Sequence, residues 1–169
     1  MFRPNYYFNK VTKISPLFLR QQGITTLILD VDNTLTVDHA AKLIPGVADW
    51  LVLLQQSGIA LIILSNAVPK RMAAFAEAVG LPFVGLGLKP LPFGYFRAMR
   101  RVGASKKNTA IVGDQLFTDI LGGKLSGCKT ILVAPQKLET SCRFKIKRAL
   151  ERKLLRRYKL PCKFKKRGQ

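Results

Sequence analysis

The chain has 169 residues, with 29 Lys+Arg against 9 Asp+Glu and one His, a formal net charge of +20. That length suits one domain with a hydrophobic core. An apolar share of 48% with 9% aromatics excludes a disordered polycation, because such chains lack the residues that fill cores. Three cysteines, Cys128, Cys142 and Cys162, are odd in number and far apart, with no CxxC and only His39 to help them. Neither a disulfide framework nor a structural zinc site is expected. No stretch reaches the roughly 18 apolar residues that span a bilayer, and residues 1–23 lack the long apolar segment of a secretory signal. We expect a cytoplasmic or peripheral protein. No acid precedes Asp30, which keeps a mitochondrial or plastid targeting segment open.

Residues 1–22 form a basic, aromatic lead-in that interleaves Phe2, Tyr6, Tyr7 and Phe8 with Arg3, Lys10 and Lys13. Aromatics and cations without acids suit an anionic lipid interface, with packing under a sheet as the rival for the later half. Ser15-Pro16 reads as the N-cap and first position of a short helix through Arg20, closed by Gly23. Five short apolar runs then read as strands: Ile24–Leu29, Ile59–Leu64, Phe83–Gly85, Thr109–Val112 and Thr130–Val133. Between them lie helical patterns at Pro45–Ser57, Pro69–Val79, Pro92–Val102 and Gln115–Ser126, followed in turn by Gly58, Gly80, Gly103 and Gly127. A residue free to take positive φ ends a helix. The alternation predicts a mostly parallel, five-stranded sheet in a three-layer α/β architecture.

The segment 137–169 carries 14 Lys/Arg and two acids. Thr140–Tyr158 is helical by pattern, with Ile146, Leu150, Leu154 and Tyr158 as an apolar stripe. Packing on the sheet and membrane contact weigh evenly for it, and the KFKKRG tail reads as solvated. No repeat or linker breaks the chain, so 1–169 is expected to be a single domain.

Acids are scarce, which makes their placement informative. Four of the seven in residues 1–136 fall in two segments: Asp30 and Asp32 in LILDVDNTLT, and Asp114 and Asp119 in IVGDQLFTDI. Each segment starts at the carboxyl end of a predicted strand, where open α/β sheets build ligand sites. Carboxylates that close repel one another unless a cation shares the site, and an oxygen-only donor set points to Mg²⁺. Asp30 and Asp32, two apart on an extended segment, project to one side. One can then attack phosphorus while the other handles the leaving-group proton. Ser65-Asn66, after the second strand, offers a hydroxyl and backbone N–H groups to phosphate oxygens, and Lys89 supplies a cation.

These motifs, DVDNT at 30–34, Ser65, Lys89 and GDQLFTD at 113–119, resemble the haloacid dehalogenase-like (HAD) phosphotransferase superfamily over about residues 24–134. The resemblance implies a Rossmannoid α/β/α fold with strand order 5-4-1-2-3. It implies that Asp30 is the nucleophile, that Asp32 is the general acid/base and ligates metal through its carbonyl, and that Asp30 and Asp114 ligate it through carboxylates. Thr34, Ser65, Asn66 and Lys89 would hold the phosphoryl group, and Asp119 would orient Lys89 or a metal-bound water. The gaps from Thr34 to Ser65 and from Asn66 to Lys89 are too short for a cap domain, so the crevice is expected to be open.

At finer grain the chain resembles the capless subclass III A branch that contains phosphatidylglycerophosphate phosphatases, through its aromatic lead-in, D-x-DNTL, SNA, the short KP segment and GDQxxTD. Ala67-Val68 depart from that pattern, where relatives are more polar. The resemblance implies an anionic phospholipid substrate at a membrane surface. Basic charge also keeps open a nucleic-acid end or sugar phosphate as substrate, an RNA- or ribosome-binding role, and a homo-oligomer that lids the crevice.

Overall fold

The computed structural model describes residues 2–37, 42–135 and 142–158, with the helix backbone alone at 142–148. His39, Cys162 and the KFKKRG tail lie outside the described residues, as does the side chain of Cys142.

One parallel sheet organises the chain, with helices on both faces. Its strands are β1 (Tyr6–Phe8), β2 (Thr26–Leu29), β3 (Ala60–Leu64), β4 (Phe83–Val84), β5 (Thr109–Gly113) and β6 (Lys129–Val133), in the spatial order β1-β6-β5-β2-β3-β4. Every pairing is parallel. The sheet therefore has six strands, not the expected five, and the order 5-4-1-2-3 is replaced by a longer one. The expected strands keep their sequence of neighbours; the difference is β1, which adds to the outer edge of β6. A three-residue strand is too short to show a period in sequence. Only the sheet edge it completes reveals it.

The lead-in is consequently part of the fold. Tyr6 pairs with Ile131 and Phe8 with Val133, and the rings of Tyr6 and Phe8 both meet the Phe18 ring edge-on, at 5.0 and 5.1 Å. Val11, Ile14 and Leu19 are buried. Helix α1 (Pro16–Gln21) starts as its sequence predicts, with the Ser15 hydroxyl accepting from the Phe18 amide at 3.1 Å.

The two-faced packing follows from strand alternation. Leu27, Leu29, Leu61, Ile63, Ala110, Val112, Ile131 and Val133 face one layer, made by α1, α2 (Val47–Gln56) and α3 (Pro69–Val79). Ile28, Ile62, Leu64 and Ile111 face α4 (Pro92–Arg101). Leu132 meets Leu116, Ile120 and Leu155 of the last helices. The glycines expected to end the helices do so, with φ of 78° at Gly58, 65° at Gly80, 64° at Gly103 and 74° at Gly127. One predicted helix is replaced by two: a π-helical turn, Leu116–Ile120, runs into α5 (Leu121–Leu125).

Helix α6 (Cys142–Arg157) packs on a face that only partly matches the predicted stripe: Leu154 is half-buried against Leu116, Ile120 and Leu132, and the side chain of Ile146 lies outside the described residues. Leu150 is exposed, whereas Glu151 and Leu155 are buried. The reason is a hydrogen bond: the Glu151 carboxylate accepts from the Leu116 amide at 2.9 Å, so an acid takes an inward position and rotates the buried face by one residue. Among the described residues, no helix is long and apolar enough to cross a membrane.

Edge strand β1 is clamped by Asn5. Its side-chain carbonyl accepts from the amide and hydroxyl of buried Thr130, both at 3.0 Å, and from the Lys124 ammonium at 2.6 Å. Asn5→Ala leaves those Thr130 groups unmatched, so we expect a loss of about 1–3 kcal/mol in urea unfolding. Unchanged stability would show that the Asn5 clamp contributes nothing to the sheet edge.

Candidate active site

All the predicted site residues lie at the carboxyl ends of the strands, as parallel topology demands. Asp30 follows β2, Ser65 and Asn66 follow β3, Lys89 lies beyond β4, and Asp114 follows β5. Asp119 comes from the π-helical turn.

The centre is an ion triad. The buried Lys89 ammonium donates to the Asp30 carboxylate at 2.5 Å and to the Asp119 carboxylate at 2.7 Å. Burial by itself lowers the Lys89 pKa, but the charges of Asp119 and Asp30 outweigh it and raise the pKa above the ordinary lysine value. Lys89 is therefore cationic at any working pH. Asp30 experiences the opposite balance. Burial raises its carboxyl most, Lys89 pulls it down, Asp119 and Asp32 push it up again, and the net is about 6.

Each member of the triad is held by its neighbours. The Asp119 carboxylate also accepts from the Gln115 amide at 3.2 Å. A methyl group at Gly113 would lie 2.3 Å from the Asp119 carboxyl carbon, so the glycine of the GD motif leaves room for the acid six residues later. Asn66 brackets Lys89: its carbonyl accepts from the Lys89 amide at 2.7 Å, and its amide donates to the Lys89 carbonyl at 3.2 Å. The Thr34 hydroxyl donates to Asp30 at 3.3 Å, and the Ser65 hydroxyl accepts from the Ala67 amide at 3.1 Å. Thr34 and Ser65 are both buried.

Asp32 is placed differently. Its carboxylate accepts from the Arg71 guanidinium at 2.7 Å, near the exposed rim. Three carboxylates do converge, those of Asp30, Asp114 and Asp119, with one oxygen of each within 4.8 Å of the others. Hard oxygen donors carrying three negative charges beside one lysine fit a divalent cation. The convergent set thus includes Asp119, while the part expected of Asp32 runs through its backbone carbonyl and is independent of where its side chain turns.

Four contributors were not read from the sequence. Arg71 partners Asp32, but an arginine in a first helical turn carries no signal by itself. Tyr95 is buried and donates to the Thr118 carbonyl at 2.9 Å, steadying the turn that carries Asp119. Burial and then Asp119 raise its pKa, so it stays a neutral donor. Glu151 holds the start of the same turn through Leu116. Asn33 takes a left-handed backbone, φ 62°, directly after Asp32; the Asp-Asn-Thr sequence was a signal for it, since Asn tolerates that conformation.

Raising Asp30 from its ordinary 3.8 to about 6 means that its ionisation weakens the metal-free fold. The cost is absent below pH 4, grows between 4 and 6, and is complete above 6. In EDTA, Asp30→Asn is therefore expected to unfold at higher urea than wild type at pH 7.5, by about 1–3 kcal/mol, with the gap closing near pH 4. Equal stability at pH 7.5 would contradict a carboxylate ionised against its surroundings.

A family model described as haloacid dehalogenase-like hydrolase matches residues 7–127. The probable phosphatase YqeG of Bacillus subtilis (strain 168) is 32% identical over 154 residues, covering 91% of this chain and 90% of that protein. The fold is similar to an uncharacterized protein from Listeria monocytogenes serotype 4b, with TM-score 0.57 and 19% identity over 70% of this chain and 85% of that one. It is also similar to NagD from E. coli K-12, with TM-score 0.54 and 18% identity over 65% and 87% of the two chains. The family match spans Asp30, Lys89 and Asp119, and the chain belongs to the haloacid dehalogenase-like hydrolases.

Proposed function

We propose that this hydrolase is a Mg²⁺-dependent phosphomonoesterase that works through an aspartyl-phosphate at Asp30, with phosphatidylglycerophosphate at a membrane surface as its substrate. The observation that carries the chemistry is the Lys89 ammonium shared by Asp30 and Asp119. A carboxylate held at a strand end by a fixed cation keeps one orientation toward an incoming phosphoryl group. The name of the Bacillus relative, a probable phosphatase, agrees with it.

In the first half-reaction an Asp30 oxygen forms a bond to phosphorus as the bond to the ester oxygen breaks, and Asp32 gives its proton to the departing alkoxide. In the second, Asp32 takes a proton from water, whose oxygen attacks phosphorus and releases Asp30 and inorganic phosphate. Lys89, Thr34, Ser65 and Asn66 offer donors to the phosphoryl oxygens. Asp30, Asp114 and the Asp32 carbonyl would hold a Mg²⁺, which when bound offsets the repulsion between these carboxylates and the anionic ester. Arg71 keeps Asp32 at the rim, where the leaving group exits.

The lipid reading rests on the resemblance to the phosphatidylglycerophosphate phosphatases and on three further features. The excess of base suits an anionic surface. The gap between β3 and β4 contains only α3, and between β2 and β3 the described residues add only α2, so the crevice opens to a phosphate carried by something large. The same site would accept a phosphorylated oligonucleotide end or a sugar phosphate, and these are the comparison substrates.

Phosphate release should depend on Mg²⁺ and stop in EDTA. Phosphatidylglycerophosphate in mixed micelles should be turned over faster than a phosphorylated oligonucleotide or a sugar phosphate. Asp30→Asn should lose about a thousandfold or more of kcat, and Asp32→Asn about a hundredfold or more. Turnover by Asp30→Asn at the wild-type rate would sink the nucleophile assignment. Turnover confined to the oligonucleotide would sink the lipid substrate.

A further inference from the structure

Five of the twelve exposed large apolar side chains among the described residues fall within residues 86–96: Leu86, Leu88, Leu91, Phe93 and Phe96. Phe93 is 64% exposed and Leu88 59%. Single exposed apolar residues need no explanation, but a contiguous group does. This group flanks Lys89, so it rims the mouth of the site.

The backbone beneath it is fixed and left-handed. Leu86 has φ 46° and Leu88 φ 51°, a conformation that a leucine adopts only at a cost. The loop is tied down by hydrogen bonds from the Leu86 amide to the Ala67 carbonyl at 3.0 Å and from the Gly87 amide to the Ser65 carbonyl at 2.9 Å. Gly94 closes the other side, since a methyl group there would lie 2.2 Å from the Gly87 carbonyl oxygen. Leucines displayed outward from such a turn gain nothing from this chain, and an observed backbone outlier of this kind points to function.

Helix α4 continues the surface with charge. At about 100° per residue, Phe93, Phe96, Arg97, Arg100 and Arg101 share its outer arc, opposite buried Tyr95, Ala98 and Met99. Arg97, Arg100 and Arg101 line a cleft of about 340 Å³ with Val84. Between Glu77 and Asp114 the chain has six Lys/Arg and no acid.

We propose that residues 86–101 form a docking face for an anionic phospholipid bilayer, with Leu86, Leu88, Leu91 and Phe93 entering the acyl boundary and Arg97, Arg100 and Arg101 meeting the headgroup phosphates. The proposal rests on the lipid-ester reading of the site and deepens it: the anchoring surface is the rim of the crevice and not the lead-in, whose Tyr6, Phe8 and Phe18 are used inside the fold. Charge and side-chain type choose this occupant. A second copy docked face to face would set arginines against arginines with no carboxylate on the segment. Only Phe93 and Phe96 offer a nucleic-acid base a ring to stack on, whereas the aliphatic Leu86, Leu88 and Leu91 would stay in water beside a nucleic acid and, next to cations, suit an interface of anionic lipid.

Cosedimentation of the full chain with phosphatidylcholine vesicles, with and without phosphatidylglycerol, tests this. Wild type should pellet with the anionic vesicles and be partly released by salt. Leu88→Asn, whose new residue tolerates positive φ, and Phe93→Ser should each lower the partition constant about tenfold. Arg97→Gln/Arg100→Gln should lower it and flatten the salt dependence. Leu17→Ser, at an equally exposed leucine of α1, should change nothing, and Phe93→Ser should hydrolyse soluble p-nitrophenyl phosphate at the wild-type rate. Equal binding to neutral vesicles would overturn the proposal. So would loss of binding in Leu17→Ser with retention in Phe93→Ser, a dimer in sedimentation velocity that Phe93→Ser dissociates, or displacement from vesicles by a short RNA. Vesicle binding by a chain that hydrolyses no phosphate ester would support the docking face and overturn only the substrate reading.

Discussion

The site is organised around one ammonium group. Lys89 is buried between Asp30 and Asp119, and removing that ammonium would be far more damaging than the cluster's net contribution to stability, because it would leave two carboxylates facing each other without a cation. The rest of the structure supplies those partners from separate places: Asp30 from the end of β2, Asp119 from the π-helical turn after β5, and Lys89 from the loop after β4. No two of the three are neighbours in sequence. The parallel sheet brings them together because every strand it contains ends on the same side.

Support for the triad reaches further than its contacts. The Asp119 turn is fixed on one side by Tyr95 from α4 and on the other by Glu151 from α6. The C-terminal helix, basic almost throughout, thus has an acid at the point where it touches the turn that carries Asp119. Its role in the described structure is to hold the backbone of residue 116, which a hydrophobic stripe does not advertise. A membrane-facing helix would have kept that carboxylate out of an apolar layer.

What could be read from the sequence follows from what leaves a local mark. Strand and helix positions are visible because burial on both sheet faces gives unbroken apolar runs, and because Gly58, Gly80, Gly103 and Gly127 stop the helices at positive φ. The site is visible because seven acids in 136 residues of a basic chain leave little room for chance clustering. Strand β1 and the buried face of α6 are not visible, for they depend on a partner across the fold: Thr130 for Asn5, and the Leu116 amide for Glu151. The exposed leucines beside Lys89 escape for the opposite reason, since an apolar run in sequence looks the same whether it is buried or displayed.

The two ion pairs of the site differ in a way that matches the chemistry proposed for them. Lys89 and Asp30 are nearly inaccessible, with side-chain exposures of 5% and 12%, while Arg71 and Asp32 stand at 39% and 19%. Solvent screens the second pair, and exposed pairs of its kind contribute only about 0–1 kcal/mol. A nucleophile, the part proposed for Asp30, benefits from a fixed line of attack, and a buried partner supplies one. A proton carrier, the part proposed for Asp32, must swing between a departing alkoxide and an incoming water, and a weak, rim-exposed partner lets it do so at little energetic cost. The same two aspartates, two residues apart, are therefore given different mobility by the depth of the cation that each one faces.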